Sequence, residues 1–246
     1  MPASEKTILI LGGTAEAARL AHELTGRGFD VTTSLAGRTR APHPVSGKTR
    51  IGGFGGPQGL ADYLQENRIA LLIDMTHPFA TNISRNARKA SSISGVKLMA
   101  WQRPKWEQMD DDQWQIVASI SDAISIIPPH ARVLLALGSQ HIAPFASRYD
   151  VHLLVRMIDP PASPLPLPDH HLLLAKPGSV EEEFTTLRDH AITHIVCRNS
   201  GGKASYTKIA AARLLGLPVI IIEQAPKASA TTSFDRLLEE ISSSLA

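Results

Sequence analysis

Cysteine is almost absent from this chain: among 246 residues there is one, Cys197. A single thiol excludes an intrachain disulfide and a thiolate metal cluster built within one chain. Cys197 lies in the apolar run HIVCRN, so a buried small side chain is the expected role and a reactive thiol is the alternative. Neither a disulfide scaffold nor a zinc ribbon fits this composition.

Strong charge and long hydrophobic runs are also missing. The formal net charge of +2 is too small and dispersed to predict nucleic-acid binding, but it permits a local basic cleft for a small anion. No apolar run approaches the roughly 18 residues of a membrane span, and no secretory h-region follows the first methionine. We therefore expect a cytoplasmic protein without membrane contact, with a monomer favoured and the oligomeric state undecided.

Short β-rich runs alternate with helical patterns, which predicts an α/β fold with parallel sheets. The predicted strands are TILILGG, DVTTSLAG, TRIGGFGG, ALLIDM, GVKLMAW, WQIVAS, RVLLALGS, DVHLLVRM, HHLLLAK, ITHIVCRN and LPVIIIEQ. Helices are expected after most of them, including residues 142–148 and a C-terminal helix capped by Thr231 or Thr232. The halves repeat one architecture. We expect two Rossmann-like domains, 1–100 and 101–246, with a cleft between them.

The stretch ILILGGTAEAARLA places glycines between the first strand and the first helix. Such glycines let backbone N–H groups approach a phosphate, and the helix N-terminus adds a partial positive charge. Thr14 and Ala17 stand where the dinucleotide fingerprint has its second and third glycines. The alternative is a tight turn with no ligand. The candidate cofactor-binding residues here are Gly12, Gly13, Thr14, Ala15 and Glu16.

The second strand indicates which dinucleotide would bind. NAD-specific sheets carry an acid roughly 20 residues beyond the glycines, whereas TTSLAGRTR offers Ser34, Arg38 and Arg40 and no acid. Such a site suits a 2′-phosphate, because one charge-assisted hydrogen bond contributes about 1.5–3 kcal/mol. This pattern predicts NADPH as cofactor, with Ser34 and Arg38 in contact with it. Solvated loop arginines are the alternative.

The run LLIDMTHPFA ends a core strand on polar residues and a proline. In a sheet of order 3-2-1-4, strands one and four are neighbours, and the ligand crevice opens between their carboxyl ends. Thr76 and His77 should therefore face the glycine turn, where the reactive end of the cofactor lies. Thr76 is a candidate cofactor-binding residue, and Asp74 should support the loop one residue deeper. A turn histidine that only bonds a backbone carbonyl is the alternative for His77.

The second half carries a further polar strand edge. ITHIVCRNSGGKASYTKIAAARLL reads as a strand, a Gly-rich turn and a helix, with Ser205 as a possible cap. A basic residue and an amide before glycines favour an anion site over a plain helix-start turn. No metal site and no G-x-S-x-G nucleophile elbow is predicted. The candidate substrate-binding residues are Gly138, Ser139, Arg198, Asn199, Ser200, Gly201, Gly202 and Lys208.

These segments together resemble the precorrin-6A reductase family of cobalamin biosynthesis. The matching pieces are LILGGTAEAARLA, IDMTHPFA and RNSGGKASYTKIAAARLLGLPVIII, in the family's order and over nearly the full length. Arg198 stands where the family has a lysine, KPGS replaces a Gly-Pro-Phe-like turn, and EQAP replaces an Arg-Pro ending. Arg198 keeps the charge with a different geometry, and the missing late arginine alters part of the substrate site.

The resemblance implies an NADPH-dependent reduction of one ring double bond of precorrin-6A, giving precorrin-6B. It also implies two Rossmann-like domains with cofactor and macrocycle between them, and we assign the cofactor to residues 1–100 and the macrocycle to residues 101–246. Saturating such a bond requires a proton, for which His77 and Lys208 are the candidate catalytic donors beside water or a substrate group. Another NADPH-dependent reductase of a polyanion and a non-catalytic two-domain binding protein are the alternative functions.

Overall fold

The computed structural model describes residues 7–37 and 44–245. The chain divides into two compact units: the first comprises residues up to Arg103 together with those from Ala225 onward, and the second comprises Pro104–Gln224. No helix in the described ranges is long and apolar enough to cross a membrane.

The first unit is a parallel sheet with helices on both faces. Its strand order is β12-β5-β4-β1-β2-β3, the 3-2-1-4-5-6 order of dinucleotide-binding sheets with β12 in sixth place. The elements are β1 (Thr7–Leu11), α1 (Ala15–Gly26), β2 (Asp30–Leu35), β3 (Lys48–Ile51), α2 (Gly56–Glu66), β4 (Leu71–Asp74), α3 (Thr81–Ser94), β5 (Lys97–Trp101), β12 (Ala230–Thr231) and α7 (Phe234–Ser244).

Side-chain alternation in β1 explains why both faces of this sheet are covered. Ile8 and Ile10 pack in the core that includes residues of α1 and α7, whereas Leu9 and Leu11 pack with residues of α2 and α3. Successive strand residues point to opposite faces. A parallel sheet buried on both sides therefore needs the continuous apolar run TILIL.

The second unit repeats this architecture in the order β6-β11-β10-β7-β8-β9, with every pair parallel. Its core includes β7, β8, β10 and β11 together with α5 and α6. The elements are β6 (Trp114–Val117), α4 (Ile120–Ile126), β7 (Arg132–Ala136), two 3₁₀ turns (Ser139–His141 and Ala143–Ser147), β8 (His152–Met157), β9 (His170–Leu174), α5 (Val180–Asp189), β10 (His194–Arg198), α6 (Lys203–Leu214) and β11 (Val219–Ile222).

The eleven predicted strands are confirmed, and three helix details are wrong. Within the predicted helix 142–148, residues Ala143–Ser147 form a 3₁₀ turn instead, the form that short connecting segments often adopt. Ser233, and neither Thr231 nor Thr232, caps α7 by accepting from the Arg236 backbone N–H. Gly202, in place of Ser205, is the N-cap residue of α6.

The structure also moves the predicted boundary of the second domain. That domain was expected to run to residue 246, yet the chain returns to the first unit from Ala225 onward. There β12 pairs with β5, and α7 buries Leu237 and Ile241 in the core shared with α1. Burial of this apolar face explains the return. The cleft and the ligand assigned to each domain stay predictions.

Candidate functional site

The glycine turn (residues 12–16) and the THP turn (residues 75–78) meet at one edge of the first sheet. Strands β1 and β4 are neighbours in register, and the Met75 N–H donates to Leu11 O at 3.0 Å. The Thr14 hydroxyl donates to Met75 O, also at 3.0 Å. The topological expectation is therefore confirmed: both turns lie at the carboxyl ends of the central strands.

Backbone geometry makes the glycine turn suitable for a phosphate. A Cβ on Gly12 would lie 2.7 Å from Thr33 Cγ2, and Gly13 has a φ of +104° with open space around it. Thr14 caps α1 by accepting from the Ala17 N–H at 3.1 Å. The first N–H groups of the helix have no intrahelical acceptor, and Ala15 is exposed. The residues present thus fit a dinucleotide pyrophosphate.

Glu16, predicted to contact the cofactor, has a protein partner. Its carboxylate accepts from Arg103 Nε at 2.9 Å and also pairs with Nη2. Both side chains are largely shielded from solvent. No local sequence pattern indicates this pair, because Arg103 lies far along the chain from α1. Glu16 therefore fixes Arg103 at the first turn of α1.

Asp74 braces the turn that follows β4. Its Oδ1 accepts from the Thr76 N–H at 3.0 Å and from the Thr76 hydroxyl at 2.6 Å. Lys227 Nζ donates to the same oxygen at 3.0 Å and to Thr76 O at 3.0 Å. All three side chains are buried. Burial lowers the pKa of Lys227, and the Asp74 carboxylate opposes that shift.

Lys227 is the functional-site residue that sequence reasoning missed. It follows the segment EQAP, where the sequence indicates only a missing arginine. Its place beside Asp74 depends on the return of the C-terminal segment to the first sheet. A lone lysine in a Pro-containing loop carries no periodic signal, so the three-dimensional contact was needed to find it.

His77 has a defined tautomer in its neutral form. Its Nδ1 accepts from the Phe79 backbone N–H at 3.3 Å, and the two rings lie 5.9 Å apart. An acceptor Nδ1 places the ring proton on Nε2. The Ala80 N–H donates to His77 O at 2.8 Å and tightens the turn. The neutral imidazole, at the same sheet edge as the glycine turn, therefore carries its proton on Nε2.

The end of β2 holds Ser34, which is buried, beside Arg50 of β3. Arg50 was not among the predicted residues. Arg38, which was, lies outside the described residues together with Arg40, and its contact with the cofactor stays a prediction.

The second unit arranges its corresponding edge differently. Strands β7 and β10 are neighbours, and Gly138 and Ser139 are exposed directly after β7. A 3₁₀ turn begins there, so no α-helix N-terminus stands at this point. The Gly-rich turn instead follows β10 and opens α6.

The side chain of Asn199 is hydrogen-bonded within the protein. Its Oδ1 accepts from the Trp106 backbone N–H at 2.7 Å, and its Nδ2 donates to Trp106 O at 3.0 Å. Trp106 Nε1 donates to Gly202 O at 3.2 Å. Asn199 is 1% exposed. It therefore fixes the segment around Trp106 to the Gly-rich turn, a role that its place in the sequence did not indicate.

Of the other predicted residues of this turn, Ser200 and Gly202 are buried, whereas Arg198 and Gly201 are partly exposed. Burial lowers the pKa of the Arg198 guanidinium to about 10, and Gly201 has a φ of +68°. A pocket of about 310 Å³ opens beside the turn. Its lining residues are Trp106, Glu107, Gly201, Lys203 and Tyr206.

Lys208 lies beneath the turn and is 5% exposed. Its Nζ donates to Ser205 O, at 2.5 Å, and lies 5.0 Å from the centroid of the Trp106 ring. Burial lowers the pKa of Lys208 and raises that of the neighbouring Cys197 thiol. Cys197 is buried as predicted. Within residues 7–37 and 44–245 no group of three or more His, Cys, Asp or Glu side chains could hold a metal ion.

Comparison with known proteins decides the family. The profile of the family described as Precorrin-6x reductase CbiJ/CobK matches residues 7–242. The chain belongs to this family. A precorrin-6A reductase of Rhodobacter capsulatus is 45% identical over 219 residues, covering 88% of this chain and 87% of that protein. A precorrin-6A reductase of a Sinorhizobium species is 45% identical over 244 residues, covering 97% and 94%.

A solved structure supports the same assignment. The structure of CobK precorrin-6A reductase superposes with a TM-score of 0.91 at 41% identity and covers 97% of both chains. The resemblance carried by IDMTHPFA and RNSGGKASYTKIAAARLL is therefore confirmed at the level of family and fold. Both motifs lie at the carboxyl edge of a CbiJ/CobK-type sheet, one in each unit.

Proposed function

We propose that this protein reduces one ring double bond of precorrin-6A with NADPH, giving precorrin-6B in cobalamin biosynthesis. One observation carries the proposal. The exposed glycine turn is bonded directly to the THP turn, through Thr14 and Met75, in a chain that matches a reductase family from residue 7 to residue 242. A candidate nucleotide site and a candidate proton donor thus share one sheet edge.

The first unit would hold the cofactor, which supplies the hydride when bound. The N–H groups of the Gly13–Ala15 turn would bind its pyrophosphate, and Ser34 and Arg38 its adenosine end. The THP turn would meet the nicotinamide end. Because Thr76 is buried and bonded to Asp74, its part is to shape the turn while His77 faces the reacting groups.

A hydride added to a conjugated ring bond leaves a negative charge that a proton must neutralise. The Nε2–H of His77 is an acid of suitable type at the correct edge of the sheet, and a positioned acid of this kind contributes about 10²–10⁴-fold in rate. Lys208 is the second predicted donor. Its burial and its bond to Ser205 O favour a supporting role under the Gly-rich turn.

The second unit would bind the macrocycle. Precorrin-6A carries several carboxylates, and Arg198, Ser200 and the Gly201–Gly202 turn provide a cation, a hydroxyl and backbone N–H groups suited to them. Gly138 and Ser139 lie at the end of the adjacent strand β7. The pocket beside Trp106 and Tyr206 adds aromatic surface on which a flat apolar part of the ring can pack.

An absorbance assay at 340 nm with purified protein, NADPH and precorrin-6A tests this function. We expect NADPH to be consumed only when the macrocycle is present. Consumption with other polyanionic acceptors but not with precorrin-6A would indicate a different NADPH reductase. Binding of both ligands without any consumption would indicate a non-catalytic binding protein.

A further inference from the structure

Arg50, in β3, is held in a fixed orientation at the carboxyl end of its strand. Its Nη1 donates to Gly52 O at 2.7 Å and its Nη2 to Gly53 O at 2.6 Å. The guanidinium carbon lies 3.7 Å from the centroid of the Phe54 ring. Two carbonyl bonds and one stacked ring preorganise the charge, so little rotamer freedom is lost when a ligand binds.

The guanidinium meets only neutral acceptors in the described ranges. Besides the two carbonyls, it contacts Ser34 Oγ at 3.4 Å. Arginine has five N–H groups, and residues 7–37 and 44–245 provide no acceptor for the two that remain, on Nε and Nη2. No ion pair with a carboxylate involves Arg50 in this part of the chain. A preorganised cation with spare donors is suited to an anion.

The position of Ser34 indicates which anion this is. Ser34 is paired with Arg50 across β2 and β3, and its carbonyl accepts from the Gly12 N–H at 2.9 Å. It lies about 20 residues beyond the glycine turn, where a dinucleotide-binding sheet contacts the adenosine ribose. An acid there selects a 2′-hydroxyl, whereas a hydroxyl and a guanidinium both donate to a 2′-phosphate.

We propose that Arg50 and Ser34 bind the 2′-phosphate of the NADPH adenosine and set the preference for NADPH over NADH. This inference rests on the proposed function, because it assumes that the cofactor is a dinucleotide bound at the glycine turn. The competing interpretation is that Arg50 only fastens the Gly52–Gly53 turn. If Arg50 had only that structural role, replacing it would weaken the binding of every adenine nucleotide equally.

Calorimetric titration of the whole protein with 2′,5′-ADP and with 5′-AMP separates these interpretations, since the two probes differ only in the 2′-phosphate. We expect Arg50→Met to weaken 2′,5′-ADP about 10- to 100-fold and to leave 5′-AMP within about threefold. Lys48→Met is the matched control. It removes the same charge from the same face of β3, but from an exposed lysine paired with Asp30, and should change neither probe more than about twofold.

Ser34→Asp tests the site without removing Arg50, and circular dichroism establishes that each variant is folded. A carboxylate beside Arg50 should weaken 2′,5′-ADP more than about tenfold and spare 5′-AMP. Equal weakening of both probes by Arg50→Met or by Ser34→Asp would overturn the proposal, as would unchanged binding of 2′,5′-ADP.

The outcomes also separate this inference from the proposed function. If NADPH is oxidised with precorrin-6A while Arg50→Met affects both probes alike, the function stands and the role of Arg50 falls. If 2′,5′-ADP binding depends selectively on Arg50 and no precorrin-6A is reduced, the phosphate site stands and the function falls.

Discussion

The two sheets share one strand order but place their Gly-rich turns after different strands. In the first unit the turn follows β1 and opens α1, whereas in the second it follows β10 and opens α6. After β7, the counterpart of β1, the chain forms only 3₁₀ turns. The N–H groups that we propose bind anions therefore follow β1 in the first unit and β10, the counterpart of β4, in the second.

Each unit also bonds the turn after β4, or after its counterpart β10, to a distant segment of the chain. In the first unit Lys227 bonds Asp74 and Thr76, and in the second Asn199 bonds the backbone of Trp106. The first contact is a buried ion pair and the second a pair of neutral hydrogen bonds. Two sheets of the same topology can therefore differ in the chemistry of their carboxyl edges, because distant residues supply the contacts there.

Replacing His77 with Asn should have the largest effect on turnover. The Asn side-chain oxygen can accept the Phe79 N–H in place of Nδ1, so the turn is kept while the ring acid is lost. We expect kcat to fall about 100-fold or more and the Kd for NADPH to change less than about threefold. Stopped-flow single turnovers measure this directly, and an unchanged kcat would remove His77 from the proton transfer.

Replacing Lys227 with Met should cost the most stability. The change leaves the Asp74 carboxylate buried without its cation, which costs about 3–5 kcal/mol in the free energy of unfolding. Urea denaturation followed by tryptophan fluorescence measures it. The double variant Asp74→Asn, Lys227→Met removes both charges and should recover about half of that loss. A single variant as stable as the wild type would show that the pair contributes little to the first unit.

Replacing Asn199 with Ala tests the second contact, the uncharged hydrogen bonds between Asn199 and the Trp106 backbone. The Trp106 backbone would lose both of its hydrogen bonds to the Asn199 side chain, which should lower the free energy of unfolding by about 1–3 kcal/mol. Because no charge is stranded, the loss should be smaller than for Lys227→Met under the same urea conditions. A larger loss would mean that the Asn199 contacts stabilise the protein more than the Lys227–Asp74 pair does. A selective rise in the KM for precorrin-6A, with no loss of stability, would restore Asn199 as a substrate ligand.

Replacing Lys208 with Met should have the smallest effect on turnover, within about threefold for a residue that touches no reacting atom. Burial holds the pKa of Lys208 below the unfolded value of 10.5. The unfolded chain therefore binds more protons, and stability should rise with pH between the lowered pKa and 10.5. Unfolding curves at several alkaline pH values should show that Lys208→Met lacks this rise. A large fall in kcat would make Lys208 a proton donor after all.

Local sequence patterns predict most of the fold, but they predict few of the hydrogen bonds at the carboxyl edge of each sheet. The runs TILIL and VIII are apolar and bounded by turns, so their strands follow from the sequence. Strand β12 has two residues and no such pattern, so the return of the chain and the position of Lys227 were missed. Asn199 looked like a ligand for substrate because its partner, Trp106, lies 93 residues away.

The same limit applies to the cofactor site. Ser34 was predicted because the spacing from the glycines is local, whereas Arg50 reaches it through strand pairing between β2 and β3. Thr14 looked like a departure from the fingerprint, yet its hydroxyl both caps α1 and bonds Met75. A substituted residue can thus carry a contact that no glycine could make.

Hydrogen exchange measured by mass spectrometry is the most direct test of the proposal that the first unit binds NADPH and the second binds precorrin-6A. We predict that NADPH protects the amides of the glycine turn, residues 12–16, and of the THP turn, residues 75–78. Precorrin-6A, added to the NADP⁺ complex, should protect the Gly-rich turn at residues 199–204. Protection of residues 199–204 by NADPH alone, with residues 12–16 unchanged, would contradict this assignment of the two ligands to the two units.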